Sequence, residues 1–163
     1  MESGFISGTV VIGIGNEFRS DDAVGLMTVR KLRSEAPEGL GLIEHNGEGA
    51  SLLETWKNCD LVFVVDAVSS GARSGSIHRF FANTERIPED LFSSSSHAFG
   101  LAQAIEMSRV LGQLPQCLIV YGIEGKAFEA GQNLSPDVEA ASVEVIKRIL
   151  DDINLIKSEE EIT

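Results

Sequence analysis

Apolar residues fall along this chain in two alternating kinds of run: short continuous stretches, and longer stretches in which they recur on one side of a helix. "GTVVIGIG" (8–15) predicts a buried first strand, and "DDAVGLMTVRKLRSEA" (21–36) a helix with Ala23, Leu26, Met27, Val29 and Leu32 inward, stopped by Pro37. "GLGLIEH" predicts a short second strand, and "GASLLETWKN" a short helix with Leu52, Leu53 and Trp56 on one side. "DLVFVVDAV" (60–68) is apolar, β-branched and continuous enough to be buried on both faces. "GSIHRFF" (75–81) alternates after Gly and Ser, the pattern of an antiparallel edge strand. The serine run 93–96 predicts a loop into a third helix, "HAFGLAQAIEMSRVLG", closed by Gly112 and Pro115. "QCLIVYGI" gives the last strand. In "SPDVEAASVEVIKRILDDI", Ser135 suits the N-cap, Pro136 the first helical position, and Val138, Ala141, Val145, Ile149 and Ile153 form the apolar stripe.

Strands alternating with helices of these lengths predict a single three-layer α/β/α domain over 1–156. Its sheet is five-stranded and mostly parallel with one antiparallel edge strand, and 157–163 forms a charged, frayed tail. Right-handed crossovers put every strand-to-helix loop at one edge of such a sheet, and ligands bind in the crevice beyond the carboxyl ends of the strands.

Length and composition agree with one soluble domain: 163 residues, 43% hydrophobic and 23% charged. No apolar run is long enough to span a membrane, and "MESGFISG" lacks a basic start and apolar core, so a cytoplasmic location without membrane contact is expected. The net charge of −12 opposes non-specific nucleic-acid binding and suits a cation or a basic peptide, although solubility alone also accounts for it. Cys59 and Cys117 lie far apart and predict reduced thiols rather than a metal or disulfide framework.

The stretch "GIGNEFRSDDAVG" (13–25) sets a glycine-spaced turn after the first strand, then two adjacent aspartates. As a dinucleotide fingerprint it fails: the third glycine of G-x-G-x-x-G falls on Phe18, and the acid pair occupies the amides a pyrophosphate would use, although Glu44 stands near a ribose-binding position. Asp66 closes the third strand and His97 precedes the third helix. If the first and third strands are neighbours, an acid from 21 or 22, Asp66 and His97 converge. Two carboxylates and an imidazole suit a divalent transition metal, or an acid–base cluster. Plainer roles are open as well: capping for Asp21 and Asp22, a strand-end turn for Asp66, a helix cap for His97. "HNGE" (45–48) lacks the spacing of a zincin helix, and His78 is expected to be solvated on its edge strand.

The chain resembles the nickel–iron hydrogenase maturation endopeptidases. The resemblance runs over nearly the whole domain, through "VVIGIGNEFRSDDAVG", "GEGASLLE", "VFVVDAV", "SSHAFGLAQAI" and "YGIEG…LSPDVEAA". It implies that Asp22, Asp66 and His97 are the metal-contacting and catalytic residues, choosing Asp22 over Asp21, with Asn16 and Asp21 shaping the turn. It also implies removal of a short C-terminal extension from the hydrogenase large-subunit precursor after nickel insertion, by a monomeric enzyme. The nickel is supplied by the substrate, with cadmium or zinc as substitutes in vitro. Either the metal polarises the scissile carbonyl or a carboxylate activates water. A nickel-dependent chaperone that binds the large subunit without cutting it, and a nucleotide-binding module, are the rival classes. Two departures stand out: "HNGEG", with His45 and Glu48, where many members carry a "GGTAG"-like stretch, and Gly125 where many have proline. Both resemble the branch serving cytoplasmic, bidirectional, NAD-linked hydrogenases.

Overall fold

The first strand, β1 (Thr9–Ile14), is buried at every position, as its uninterrupted apolar run requires. In the computed structural model, which describes residues 8–92 and 97–162, it lies near the middle of a five-stranded sheet. The other strands are β2 (Gly41–His45), β3 (Leu61–Val68), β4 (Ile77–Phe81) and β5 (Cys117–Glu124), in the order β2-β1-β3-β5-β4. All neighbours pair parallel except β4, which runs antiparallel to β5 at the edge. Strands one and three are therefore neighbours, the condition for the convergence of Asp22 and Asp66.

Four helices cover the two faces: α1 (Val24–Leu32), α2 (Gly49–Trp56), α3 (Leu101–Val110) and α4 (Pro136–Ile162). Alternation along the strands divides the core. Val11, Phe63, Val65 and Tyr121 pack with Val29, Leu32, Val145 and Ile149 of α1 and α4. Ile12, Val62, Val64 and Val120 pack with Leu52, Trp56 and Ile105 of α2 and α3. Asp66 continues the parity of Val62 and Val64, so its side chain belongs to the α2/α3 face, where the chain from His97 enters α3. The whole predicted stripe of α4 is buried, and Trp56 donates its indole N–H to the buried Ser108 hydroxyl at 2.9 Å.

Several boundaries differ from the expectations. The helix predicted over 21–36 is a 3-10 turn, Ser20–Ala23, followed by α1, which ends at Leu32 and passes into turns over 33–35 before Pro37. The third helix begins at Leu101, where the Gly100 amide donates to the Gln103 side chain, so His97 precedes regular helix. A further 3-10 turn, Glu89–Phe92, follows Pro88 and was not foreseen. α4 continues through the expected tail to Ile162, because "KSEEEI" holds good helix formers and no breaker. His78 is only partly solvated: its side chain is 26% exposed, and its Nε2 lies 3.3 Å from the buried Glu124 carboxylate, which also accepts from the Ser70 amide. Cys59 and Cys117 are free and half-buried, as expected. The serine loop 93–96 and the N-terminal stretch before Gly8 lie outside the described residues.

Glycine has a specific task where α1 meets the sheet. A Cβ on Gly25 would stand 2.2 Å from the Ile14 carbonyl oxygen and 2.3 Å from that of Val65, and one on Gly13 would stand 2.1 Å from the Gly25 carbonyl. The helix thus rests directly on backbone, which seats the Asp21–Asp22 turn against the ends of β1 and β3. Gly25→Ala is expected to destabilise the fold by about 3 kcal/mol or more, because the opposing atoms are backbone and cannot yield. Urea unfolding measures this, and a loss below about 1 kcal/mol would contradict such close packing.

Candidate active site

Beyond Ile14 the chain makes a tight turn that is held by its own side chains. Asn16 accepts the Phe18 amide on Oδ1 at 2.9 Å and the Arg19 amide on its carbonyl at 3.2 Å. Ser20 has φ 52°, a left-handed conformation that non-glycine residues seldom adopt and that turns the chain into the 3-10 turn. The two aspartates that follow then diverge.

Asp21 is fully buried and faces away from the crevice. Its Oδ2 accepts the amides of Lys126 (2.8 Å) and Ala127 (2.9 Å) and the Ser135 hydroxyl (2.8 Å), and its Oδ1 accepts the Ser135 amide (2.7 Å). Burial alone would raise its pKa, but these donors hold the carboxyl below the ordinary aspartate range. Asp22 Oδ2 instead accepts the Asn16 amide at 3.0 Å, and Asp22 lines the crevice. Both acids lie in the first turn of the 3-10 segment that leads into α1, whose N-cap is Ala23. The sequence alone could not separate the two acids; their burial and partners do.

Asp66, 5% exposed, lines the same crevice and accepts the Ala67 amide at 2.8 Å. Its pKa is pushed well above the usual carboxylate range, first by burial and then by the neighbouring charge of Asp22, with the single amide too weak to offset them. His97 lines the crevice too, half-buried. Asn16, Asp22, Asp66 and His97 therefore meet in one cleft of about 730 Å³, while Asp21 stands behind it. Among the described residues no three His, Cys, Asp or Glu side chains are already assembled as a metal cage. The donors nonetheless fit a divalent cation in type, since two crowded carboxylates gain from a positive charge between them.

One contributor was passed over in the sequence. His45 joins the cleft, its Nδ1 accepting the Gly47 amide at 2.8 Å and its Nε2 lying 2.9 Å from the Ser51 hydroxyl. With Nδ1 occupied as an acceptor, the neutral ring carries its proton on Nε2 and donates it to Ser51. Burial lowers the His45 pKa, opposed by the Glu48 charge and helped by His97. Glu48, its companion in "HNGEG", is the N-cap of α2 and accepts the Ala50 and Ser51 amides at 2.9 and 2.8 Å. Gly47, at φ 90°, makes the turn that returns its amide to His45, and the "HNG" triplet was the available signal.

A sequence model described as hydrogenase maturation protease matches residues 27–152. The chain belongs to the hydrogenase maturation proteases. The hydrogenase 2 maturation protease of Escherichia coli K12 is 27% identical over 145 residues, covering 86% of this chain and 87% of that one. The hydrogenase expression/formation protein HoxM of Cupriavidus necator is 23% identical, covering 85% and 70%. Among solved structures, the hydrogenase maturating endopeptidase HybD from E. coli superposes with a TM-score of 0.73 at 22% identity, covering 90% and 91%. The maturation protease HycI from Thermococcus kodakarensis gives 0.69 at 21%, covering 91% and 93%. The protein is thus a hydrogenase maturation endopeptidase, in agreement with the resemblance carried by its motifs. Asp66 and His97 lie within the matched span and Asp22 just before it. Among the described residues no helix is long and apolar enough to cross a membrane.

The two titrating aspartates give opposite predictions. Asp21 has a depressed folded-state pKa, so its stabilisation is present above the unfolded value of about 3.9 and is lost as pH falls through the folded value. Asp21→Ala strands three amides and is expected to cost roughly 3–5 kcal/mol at pH 7, with the gap from wild type narrowing in acid. Denaturant titrations at pH 7 and pH 3 test this, and a constant gap would contradict the ionised-hub assignment. Asp66 has a raised pKa, so its contribution is full below about 3.9 and declines as pH rises through the folded value. Asp66→Asn, measured without metal, should therefore raise Tm at pH 7–8 by at least about 2–4 °C, the equivalent of 1 kcal/mol, and lose that gain near pH 4. A destabilised variant at pH 8 would count against it.

Proposed function

We propose that this peptidase removes a C-terminal extension from the precursor of a nickel–iron hydrogenase large subunit after nickel insertion. The observation that carries the proposal is the meeting of Asp22, Asp66 and His97 in one cleft at the carboxyl edge of β1 and β3. In it the nickel belongs to the substrate. Its arrival supplies the positive charge that the Asp22–Asp66 pair lacks, while His97 adds a nitrogen donor. Cadmium or zinc would substitute in vitro for the same reason.

In this scheme a carboxylate of the pair takes a proton from the attacking water. The water oxygen bonds to the scissile carbonyl carbon, the C–N bond breaks, and the proton passes to the leaving amine. Asp66 serves as the base only once ionised, so cleavage rises with pH from the acid side. "HNGEG" and Gly125 support service in the branch of cytoplasmic, bidirectional, NAD-linked hydrogenases, where the enzyme would act as a cytoplasmic monomer.

The intact mass of the native large subunit, in cells with and without the protein, tests the proposal. The expected outcome is a subunit longer by a C-terminal peptide in its absence, trimmed by the purified protein only when nickel is loaded. Asp22→Asn, folded, should lower processing about 100-fold or more, and His97→Ala should weaken nickel affinity. An unchanged mass, or binding of the precursor without trimming, would refute the peptidase role on this partner. Full processing by Asp22→Asn would remove that residue from the chemistry.

A further inference from the structure

Phe18 is the single exposed aromatic among the described residues, at 60% of its surface. The other described aromatic side chains are buried or half-buried, so the fold gains little from an apolar ring left at this place. The ring stands on a fixed support. The Phe18 amide donates to Asn16 Oδ1 at 2.9 Å, and its carbonyl accepts the Gly131 amide at 2.9 Å. The Ser20 amide returns a bond to the Gly131 carbonyl at 2.9 Å, and the Asn16 amide reaches Asp22 Oδ2 at 3.0 Å. One short segment thus connects the exposed ring to a carboxylate of the cleft, and Phe18 lines that cleft together with Asp22 and Asp66.

Ile14 and Leu26 line the same cleft. Arg30 on this flank is paired within the protein, lying 2.7 Å from Glu44 and 3.4 Å from Glu17. An incoming chain therefore meets an exposed apolar ring beside a charge cluster that already has its counterions. An aromatic on a held backbone binds at low entropic cost, because only its two side-chain torsions are left to order on contact.

We infer that Phe18 is a specificity-determining contact, a preorganised anchor at the cleft that takes an apolar side chain of the precursor's extended peptide beside the scissile bond. The inference rests on the peptidase reading of the cleft. A peptide laid across Asp22 and Asp66 passes the ring, and discrimination between precursors follows from which side chain it presents there.

The test uses the full-length, nickel-loaded large-subunit precursor with wild type, Phe18→Ala and Phe18→Leu, and measures the dissociation constant together with KM and kcat. The Tm of Phe18→Ala should stay near wild type, since the ring is exposed. Its dissociation constant and KM should rise about tenfold or more with kcat unchanged, and Phe18→Leu should recover part of the loss. A folded Phe18→Ala that binds the precursor as wild type does would overturn the inference, as would a fall in kcat alone. So would a Phe18-dependent dimer of the enzyme whose loss leaves KM unaltered, since the ring would then be a contact between copies. If wild type binds the precursor without cutting it, the peptidase reading fails, and the dissociation constants still decide the role of Phe18.

Discussion

One buried carboxylate holds two distant parts of the chain together. Asp21 accepts three amides and a hydroxyl from residues more than a hundred positions later, and so fixes the segment between β5 and α4 against the turn after β1. The backbone reinforces it: Asp21 donates its amide to Ala127, and Ser20 donates its amide to Gly131 and its hydroxyl to Glu129. A buried charge is costly unless it is fully bonded, and this one accepts four hydrogen bonds in a buried setting where each bond is strong. With one aspartate anchored, the next residue in the chain has little freedom. Asp22 is set into the cleft by a neighbour that never enters it.

Adjacent residues of the same type therefore have opposite surroundings. Asp21 is given more donors than its charge requires, and Asp66 fewer, with Asp22 close enough to raise its pKa further. Pushing the ionisation of nearby acids apart in this way separates structural from chemical roles. The close seat of α1 on the sheet belongs to the same design, since any side chain at Gly13 or Gly25 would lift the turn away from Asp66.

Much of this could be read from the chain, for identifiable reasons. The strands were legible because sheets covered on both faces need continuous apolar runs, and the run ending in Asp66 was conspicuous because an acid closes it. The cleft was legible because a parallel sheet puts all its βα loops on one edge. Helix ends were less legible: the turn at Ser20–Ala23 depends on tertiary bonds to Gly131 and Ala127 that no local window contains. The split between Asp21 and Asp22 was hidden for the same reason, as it depends on residues 126–135. His78 was only half-anticipated, because its ring meets the buried Glu124 of the neighbouring strand β5, a contact its own strand does not reveal.

His45 shows how a family departure becomes a physical feature. Its Nδ1 is held by the Gly47 amide and its Nε2 by Ser51, so both ring nitrogens are engaged within the protein. A ring bound at both nitrogens is a poor metal donor and a fixed wall. It brings a second imidazole into the cleft, and burial, against the opposing charge of Glu48, disfavours its protonation. The cleft side chains thus divide by what already holds them: His45 is tied to its own wall, whereas Asp22, Asp66 and His97 are the candidate donors that line the same space as Ser51 and Phe18.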